Sequence, residues 1–417
     1  MKGPIAHATI RTSFVLGGRL VVQAGTLLLV ARMLGPQLFG AFAGITSLAV
    51  ILGTLSTFGT HLVLLGEVSR EPSRRQAVLS YSIPTTLLAG GFLLVIYLLI
   101  CTQVLRESGA VLQVLLAIGI TELWLQPLFN LMAIEHLALG RTARSQLLTI
   151  LPLALRLLAA TTVFLMQPSA PLEGYAYGYL AASLIALFFG ATTIPAPWPE
   201  LRLWHLPITR QVRESAGYAA INISKAGPSE LDKTLAAKLL PLGAAGMYAV
   251  GTRVIGAITL PVIAMILAAL PRMFRENRVE QRRNAHLLRW MFSVAMIYGF
   301  FLSMALWFAA PLLDGFFGPK YHGLGQTLRW LCLAVPGMTL RLVEGNVLMA
   351  SGKVWMRVGF EASGVGVLTL AAFLLTPRLG TAGMLTSLAC AEWSMALAGA
   401  ILIVASRREQ QLKGFKT

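Results

Sequence analysis

Twelve stretches of mostly apolar residues, each about 20 to 27 long, recur along this chain, and a helix of that length spans hydrocarbon. They lie near 12–34, 41–65, 77–101, 111–134, 147–167, 174–194, 215–240, 246–269, 287–310, 324–350, 357–376 and 381–404. Only 12% of the residues are charged, against roughly 25% in a soluble domain. A chain built this way has no water-facing fold open to it, and the pattern predicts an all-α polytopic membrane protein. The seventh stretch is the weakest, because "NISKAGPSELDK" interrupts it with charge.

Lys and Arg divide unequally between alternate sides of these spans. Twenty-two fall at the N-terminus, in the loops near 66–76, 136–146, 195–213, 271–289 and 351–357, and in the C-terminal tail. Five, Arg32, Arg106, Lys238, Lys320 and Arg378, fall on the other side, and seven within spans. By the positive-inside rule both termini are expected in the cytoplasm, with an even number of crossings. The net charge of +17 therefore reads as topology and not as nucleic-acid binding, which would need basic residues interleaved with an aromatic platform. Trp198, Trp204, Trp290 and Trp355 fall near the cytoplasmic ends, where indoles favour the interface. Cys101, Cys332 and Cys390 show no paired spacing, and the N-terminus reads as an uncleaved first helix.

The chain also repeats itself. At an offset of 206, "ARMLGPQLFGAF" (31–42) meets "AKLLPLGAAGMY" (237–248), pairing Arg32 with Lys238, Gly40 with Gly246 and Phe42 with Tyr248. "REPSRR" from Arg70 echoes "RENRVEQRR" from Arg275, and "ALGR" from Ala138 echoes "ASGK" from Ala350, in the same order. Two six-helix lobes are expected, 1–194 and 214–406, joined by a connector at 195–213 and followed by a basic tail at 407–417. With six crossings each, the copies are parallel and related by a pseudo-twofold axis along the membrane normal. In this reading Gly35-Pro36 ends the first helix at an extracytoplasmic corner, Arg32 snorkels, and Gly40 and Gly44 offer a small-residue face for close helix contact. Pro241 replaces Gly35 in the second copy.

"LLVARMLGPQLFGAF", "STFGTHLVLLGEVSREPSRR" and "DKTLAAKLLPLGAAGMYAVGTRV" resemble the polysaccharide transporter family, the O-antigen and exopolysaccharide flippases of the multidrug/oligosaccharidyl-lipid/polysaccharide exporter superfamily. The resemblance runs through both halves. It implies an alternating-access flippase, not an enzyme, that moves a lipid-linked oligosaccharide from the inner to the outer leaflet of the bacterial cytoplasmic membrane. Implied partners are that substrate, membrane lipids, and a polysaccharide polymerase with its chain-length machinery; no cofactor is implied.

Ionisable groups at span depth cost roughly 2.5 to 3.5 kcal/mol each on insertion scales, so they should face protein or a wet passage. At 100° per residue Tyr218, Asn222, Lys225, Ser229 and Asp232 make a polar stripe on the seventh span, which Pro228 kinks. Thr12, Arg19, Gln23 and Thr26 make a matching stripe on the first, with Arg19 equivalent to Lys225 and Gln23 to Ser229. The candidate substrate-binding set is Arg19, Gln23, Asn222, Lys225, Ser229, Asp232, Arg253, Arg329 and Arg341, with Arg19 and Lys225 expected across the pseudo-twofold axis to attract pyrophosphate or acidic sugars. The competing account pairs each cation with an acid: Lys225 with Asp232, Lys233 with Glu230, and Arg341 with Glu344 three residues on. Arg156 has no partner nearby in sequence.

With no nucleotide motif, transport would draw on an ion gradient, membrane potential or substrate removal. Glu122, Asp232 and Glu344 are the candidate ion carriers. "GNVLMASGKV" is not a phosphate loop, having Val347 and Val354 where Gly and Ser or Thr are required, and the six histidines lack metal-ligand spacing. A drug or cation exporter of the same superfamily is the second reading. A membrane polysaccharide polymerase or glycosyltransferase is the third, disfavoured by extracytoplasmic loops as short as "TPRLG".

Overall fold

The computed structural model describes residues 4–105, 110–266 and 281–414, with side chains at 17–105, 110–266 and 288–405. Thr12, Arg106, most of the 271–289 loop and the 407–417 tail fall outside the described side chains.

Helices dominate the described residues. They are α1 (Pro4–Ser56), α2 (Thr60–Arg70), α3 (Arg75–Gln103), α4 (Leu112–Ile120), α5 (Gln126–Ala138), α6 (Thr142–Met166), α7 (Pro171–Thr193), α8 (Thr209–Leu239), α9 (Leu242–Ile258), α10 (Gln281–Phe317), α11 (Leu324–Leu331), α12 (Val335–Ala350), α13 (Val354–Leu379) and α14 (Thr381–Gly414). A π-turn, Thr121–Leu125, joins α4 to α5. A 3-10 turn, Cys332–Ala334, joins α11 to α12.

Among the described residues, ten helical segments are long and apolar enough to cross a membrane. Two further crossings account for the twelve expected. The segment Gly17–Ser56 counts once among the ten, yet Gly35 breaks it with φ 68° and ψ 171°. That backbone conformation is essentially restricted to glycine, and Pro36 then starts the next helix. α8 has 31 residues, ample for a crossing, but its charges exclude it from the apolar ten, as "NISKAGPSELDK" foreshadowed. The protein is a multi-pass membrane protein.

At the first corner Ala31, Phe39, Ala41 and Phe42 are fully or almost fully buried, Gly40 and Gly44 are buried, and Arg32 is exposed. At the second corner the chain turns without left-handed backbone. Pro241 (φ −55°, ψ 139°) stands just before α9, so one motif is executed by two different local chemistries.

The second crossing is not continuous as the hydropathy suggested. It stops at Ser56, turns through Phe58 (φ 47°) and Gly59 (φ 76°), and resumes as α2. The cause is packing: a Cβ at Gly59 would collide with the Ser215 carbonyl, the Ala219 nitrogen and Tyr218. The start of α8 thus lies backbone-close against this break.

Two compact units divide the chain, Met1–Ala226 and Gly227–Thr417. The boundary falls inside α8 beside Pro228, downstream of the 195–213 connector. In the first unit Val63, Leu64 and Val68 of α2 pack on Leu79 and Tyr81 of α3 and Leu131 of α5, with Trp198, Trp204 and Tyr218 added at the edge. In the second, Leu235, Tyr248, Leu331, Leu368 and Leu388 draw α8, α9, α11, α13 and α14 together. The outer faces are as apolar as the cores. On α3, Leu88, Phe92, Val95 and Leu99 are 57 to 68% exposed, spaced along one helical face, a stripe too large for a water-facing surface.

The connector is held to the first unit by polar contacts. Arg75 is buried and donates to Glu135 Oε1 (2.6 Å), Ala196 O (2.6 Å) and Pro197 O (3.2 Å). Of the four interfacial tryptophans expected, Trp290 and Trp355 are exposed. Trp198 and Trp204 instead donate to Glu135 (3.4 Å) and Pro199 O (3.0 Å).

Candidate functional site

Arg19 and Gln23 are exposed on α1, and Arg19 has no carboxylate partner among the described residues. On α8 Lys225 and Ser229 are also exposed. Asn222 is half-buried and meets His61 Nε2 through its Nδ2 at 3.0 Å, while His61 Nδ1 meets Thr57 Oγ1 at 2.6 Å. The two paired cations do not divide between the compact units: Arg19 and Lys225 both belong to Met1–Ala226.

The partners of Asp232 include Tyr248 and Lys233. The carboxylate is buried, accepts from the Tyr248 hydroxyl at 3.1 Å, and lies 3.4 Å from Lys233 Nζ. Lys233 also bonds Glu230 Oε2 at 3.2 Å, as its spacing suggested, and donates to the Ser229 carbonyl. Arg253 is half-buried and within electrostatic range of Lys233. Arg329 lies apart from this group. Its Nε donates to Trp307 O at 3.2 Å and its guanidinium sits 5.9 Å from that ring's centroid, a cation–π distance.

The expected Arg341–Glu344 bridge is not formed. Arg341 Nε bonds Glu392 Oε2 of α14 at 2.7 Å, a pair 51 residues apart that helical spacing could not reveal. Glu344 is 1% exposed, and its Oε2 has no hydrogen-bond partner. Gly399 of α14 packs on this carboxylate so closely that a Cβ there would collide with Oε2. Nearby in sequence, buried Arg357 bonds Glu361 at 3.1 Å.

Arg156, unassigned by sequence, closes a polar knot inside the first unit. Its Nη2 bonds Glu122 Oε1 at 3.1 Å and Gln126 Oε1 at 3.1 Å, and its guanidinium carbon stands 3.9 Å over the Tyr179 ring. The Tyr179 hydroxyl donates to the same Glu122 oxygen. Glu122 belongs to the π-turn, whose extra residue re-aims side chains relative to a regular helix. Gly53 lets α1 reach the Glu122 backbone, where a Cβ would clash.

Most charge at span depth is therefore neutralised in pairs: Arg75–Glu135, Arg156–Glu122, Lys233–Asp232/Glu230, Arg341–Glu392 and Arg357–Glu361. Arg75–Glu135, Arg156–Glu122 and Arg341–Glu392 join different elements, and the other two lie within one helix each. Arg19, Gln23, Lys225 and Ser229 are exposed, and Glu344 Oε2 is buried without a hydrogen-bond partner.

The sequence signature of the family described as "Polysaccharide biosynthesis protein" matches residues 9–276. The chain belongs to this family. No curated protein matches it by overall sequence. Among solved structures, this polysaccharide biosynthesis protein is similar to an inward-facing multidrug resistance MATE transporter of the MOP superfamily, at TM-score 0.75 and 15% identity over 95% of this chain and 96% of that one. It is similar to the lipid II flippase MurJ in its inward closed conformation, at TM-score 0.73 and 11% identity over 94% and 87%. A third is a MOP superfamily transporter from Pyrococcus furiosus, with TM-score 0.68, 14% identity and 97% and 95% covered. The fold is that of the MOP transporters, the superfamily the corner motif resembles.

Proposed function

We propose that this protein is a flippase, moving a lipid-linked oligosaccharide, carried on a polyprenyl pyrophosphate, from the inner to the outer leaflet of a bacterial cytoplasmic membrane by alternating access. Membership of the polysaccharide biosynthesis family supports the glycan, and the MOP fold supports transport in place of synthesis. The observation that carries the anionic substrate is Arg19. It is exposed at span depth with no carboxylate partner among the described residues, whereas Arg75, Arg156, Arg341 and Arg357 are each committed to one. Lys225, likewise exposed, supplies a second positive group, with Gln23, Asn222 and Ser229 as hydroxyl- and amide-level contacts for sugar. Arg253 and Arg329 are secondary candidates. Arg341, already bonded to Glu392, is a positioning residue.

The test is translocation of a pyrophosphate-linked glycan in proteoliposomes. Arg19→Glu and Lys225→Glu should each abolish it, while Arg19→Lys retains part. Wild-type flux in both reversals would overturn the proposal.

For energy coupling, the three candidate acids are no longer equivalent. Glu122 and Asp232 are held by cations and tyrosines, and Glu344 alone keeps a buried oxygen without a partner, so a proton or cation is what would satisfy it. Flux that depends on pH or sodium in the native protein, and loses that dependence in Glu344→Gln, is the expected result. The second reading is a drug exporter, favoured by the 0.75 TM-score to a multidrug transporter. Transport of an organic cation in place of the glycan would establish it.

A further inference from the structure

Between α7 and α8 the chain runs through residues 194–208, outside the ten apolar helices. The way it is held sets its depth. The Ser80 carbonyl of α3 would ordinarily accept from the residue four positions on, but that residue is Pro84, which has no N–H. His205 N–H fills the vacancy at 3.1 Å, and Ser80 Oγ lies 3.3 Å from His205 Nε2. Ser80 is five residues into α3, about 7.5 Å along its axis from Arg75, and Pro72–Gln103 is itself one of the membrane-crossing segments. The connector is thus pinned beside the end of a spanning helix, not out in solvent.

Its outward side chains suit that level. Leu201, Leu203, Leu206 and Ile208 are 55 to 73% exposed, while the connector's two indoles are turned to protein acceptors. Arg202, which bonds Glu200 Oε2 at 2.9 Å yet is 87% exposed at the side chain, lies among these apolar groups, and exposed Arg210 follows them at the start of α8. Exposed leucines beside arginines, on the side of the membrane where the sequence concentrates its positive charge, fit an anionic lipid surface.

We propose that residues 201–208 are an interfacial anchor. The four apolar side chains enter the headgroup–acyl boundary of the adjacent leaflet, and Arg202 and Arg210 engage anionic phospholipid headgroups. This assignment is independent of which substrate is transported.

The test uses the full-length protein in nanodiscs of phosphatidylcholine, with or without phosphatidylglycerol. Nitroxide labels replace Leu203 or Leu206, with Ser69→Cys as an exposed control and Cys390, exposed in the structure, changed to Ser. Labels at 203 and 206 should collide with oxygen in preference to a water-soluble nickel chelate, and the label at 69 should show the opposite. Phosphatidylglycerol should raise the oxygen preference at 203 and 206 at least twofold, and Arg202→Gln with Arg210→Gln should remove that increase. Nickel accessibility equal to that of position 69 would overturn the anchor. So would labels shielded from both reagents, which would mean a second copy or another protein covers the segment. An oxygen preference indifferent to phosphatidylglycerol would overturn the anionic-headgroup assignment.

Discussion

At the scale of single residues, the decisive pattern is which charges are already satisfied. Arg341 and Glu392 are 6% and 1% exposed at the side chain, so removing one strands the other in a dry site. Glu392→Gln should destabilise by about 3 to 5 kcal/mol, read as a large drop in thermal melting of the detergent-solubilised protein. Arg341→Met with Glu392→Met should recover most of it, because a buried pair exchanged for apolar groups of similar size is often near neutral. Sequence reading singled out Arg156, Lys233 and Arg341 but missed most of the partners, and it placed Arg75 and Arg357 in loops. Lys233–Glu230, three residues apart, was legible because helical geometry places such pairs together. Arg341–Glu392 and Arg156–Glu122, separated by 51 and 34 residues, were not, since they depend on which helices pack. The same blindness hid Glu344: its isolation shows only once Arg341 is seen to be occupied elsewhere. His61 was set aside for lacking ligand spacing, yet it links the break after Ser56 to Asn222.

At the scale of elements, two corners and one break organise the helices. Gly35→Ala should cost about 1 to 3 kcal/mol, because φ 68° with ψ 171° is a region open essentially to glycine alone; a lowered melting temperature with an unchanged helical circular-dichroism spectrum is the check. Gly59→Ala should be at least as damaging, as it combines a φ of 76° with a collision against α8. The first corner was readable from Gly-Pro, whose stereochemistry is local. The break at Phe58–Gly59 was not, since "STFGTHL" sits within an apolar run and its turn answers to a helix 150 residues away. The use of Pro84, freeing the Ser80 carbonyl for His205, requires knowing where the connector runs.

At the scale of the whole molecule, twelve crossings would place both termini on one side, and we propose from the distribution of Lys and Arg that this side is the cytoplasm. Alkaline phosphatase fused after Ser169 or Leu379 should be active, and green fluorescent protein fused at Thr417 should fluoresce; the reverse pattern would refute the orientation. Span number was legible because hydrocarbon thickness imposes one length on every helix, and it survived even where hydropathy failed, at α8. That failure has a consequence for how the protein is made. A segment carrying Asn222, Lys225, Glu230, Asp232 and Lys233 is a poor substrate for the insertion machinery by itself, since each central charge weighs against partitioning into lipid. It must therefore enter alongside first-half helices already in place, those at Gly59 and His61, so that biogenesis of the second half waits upon the first.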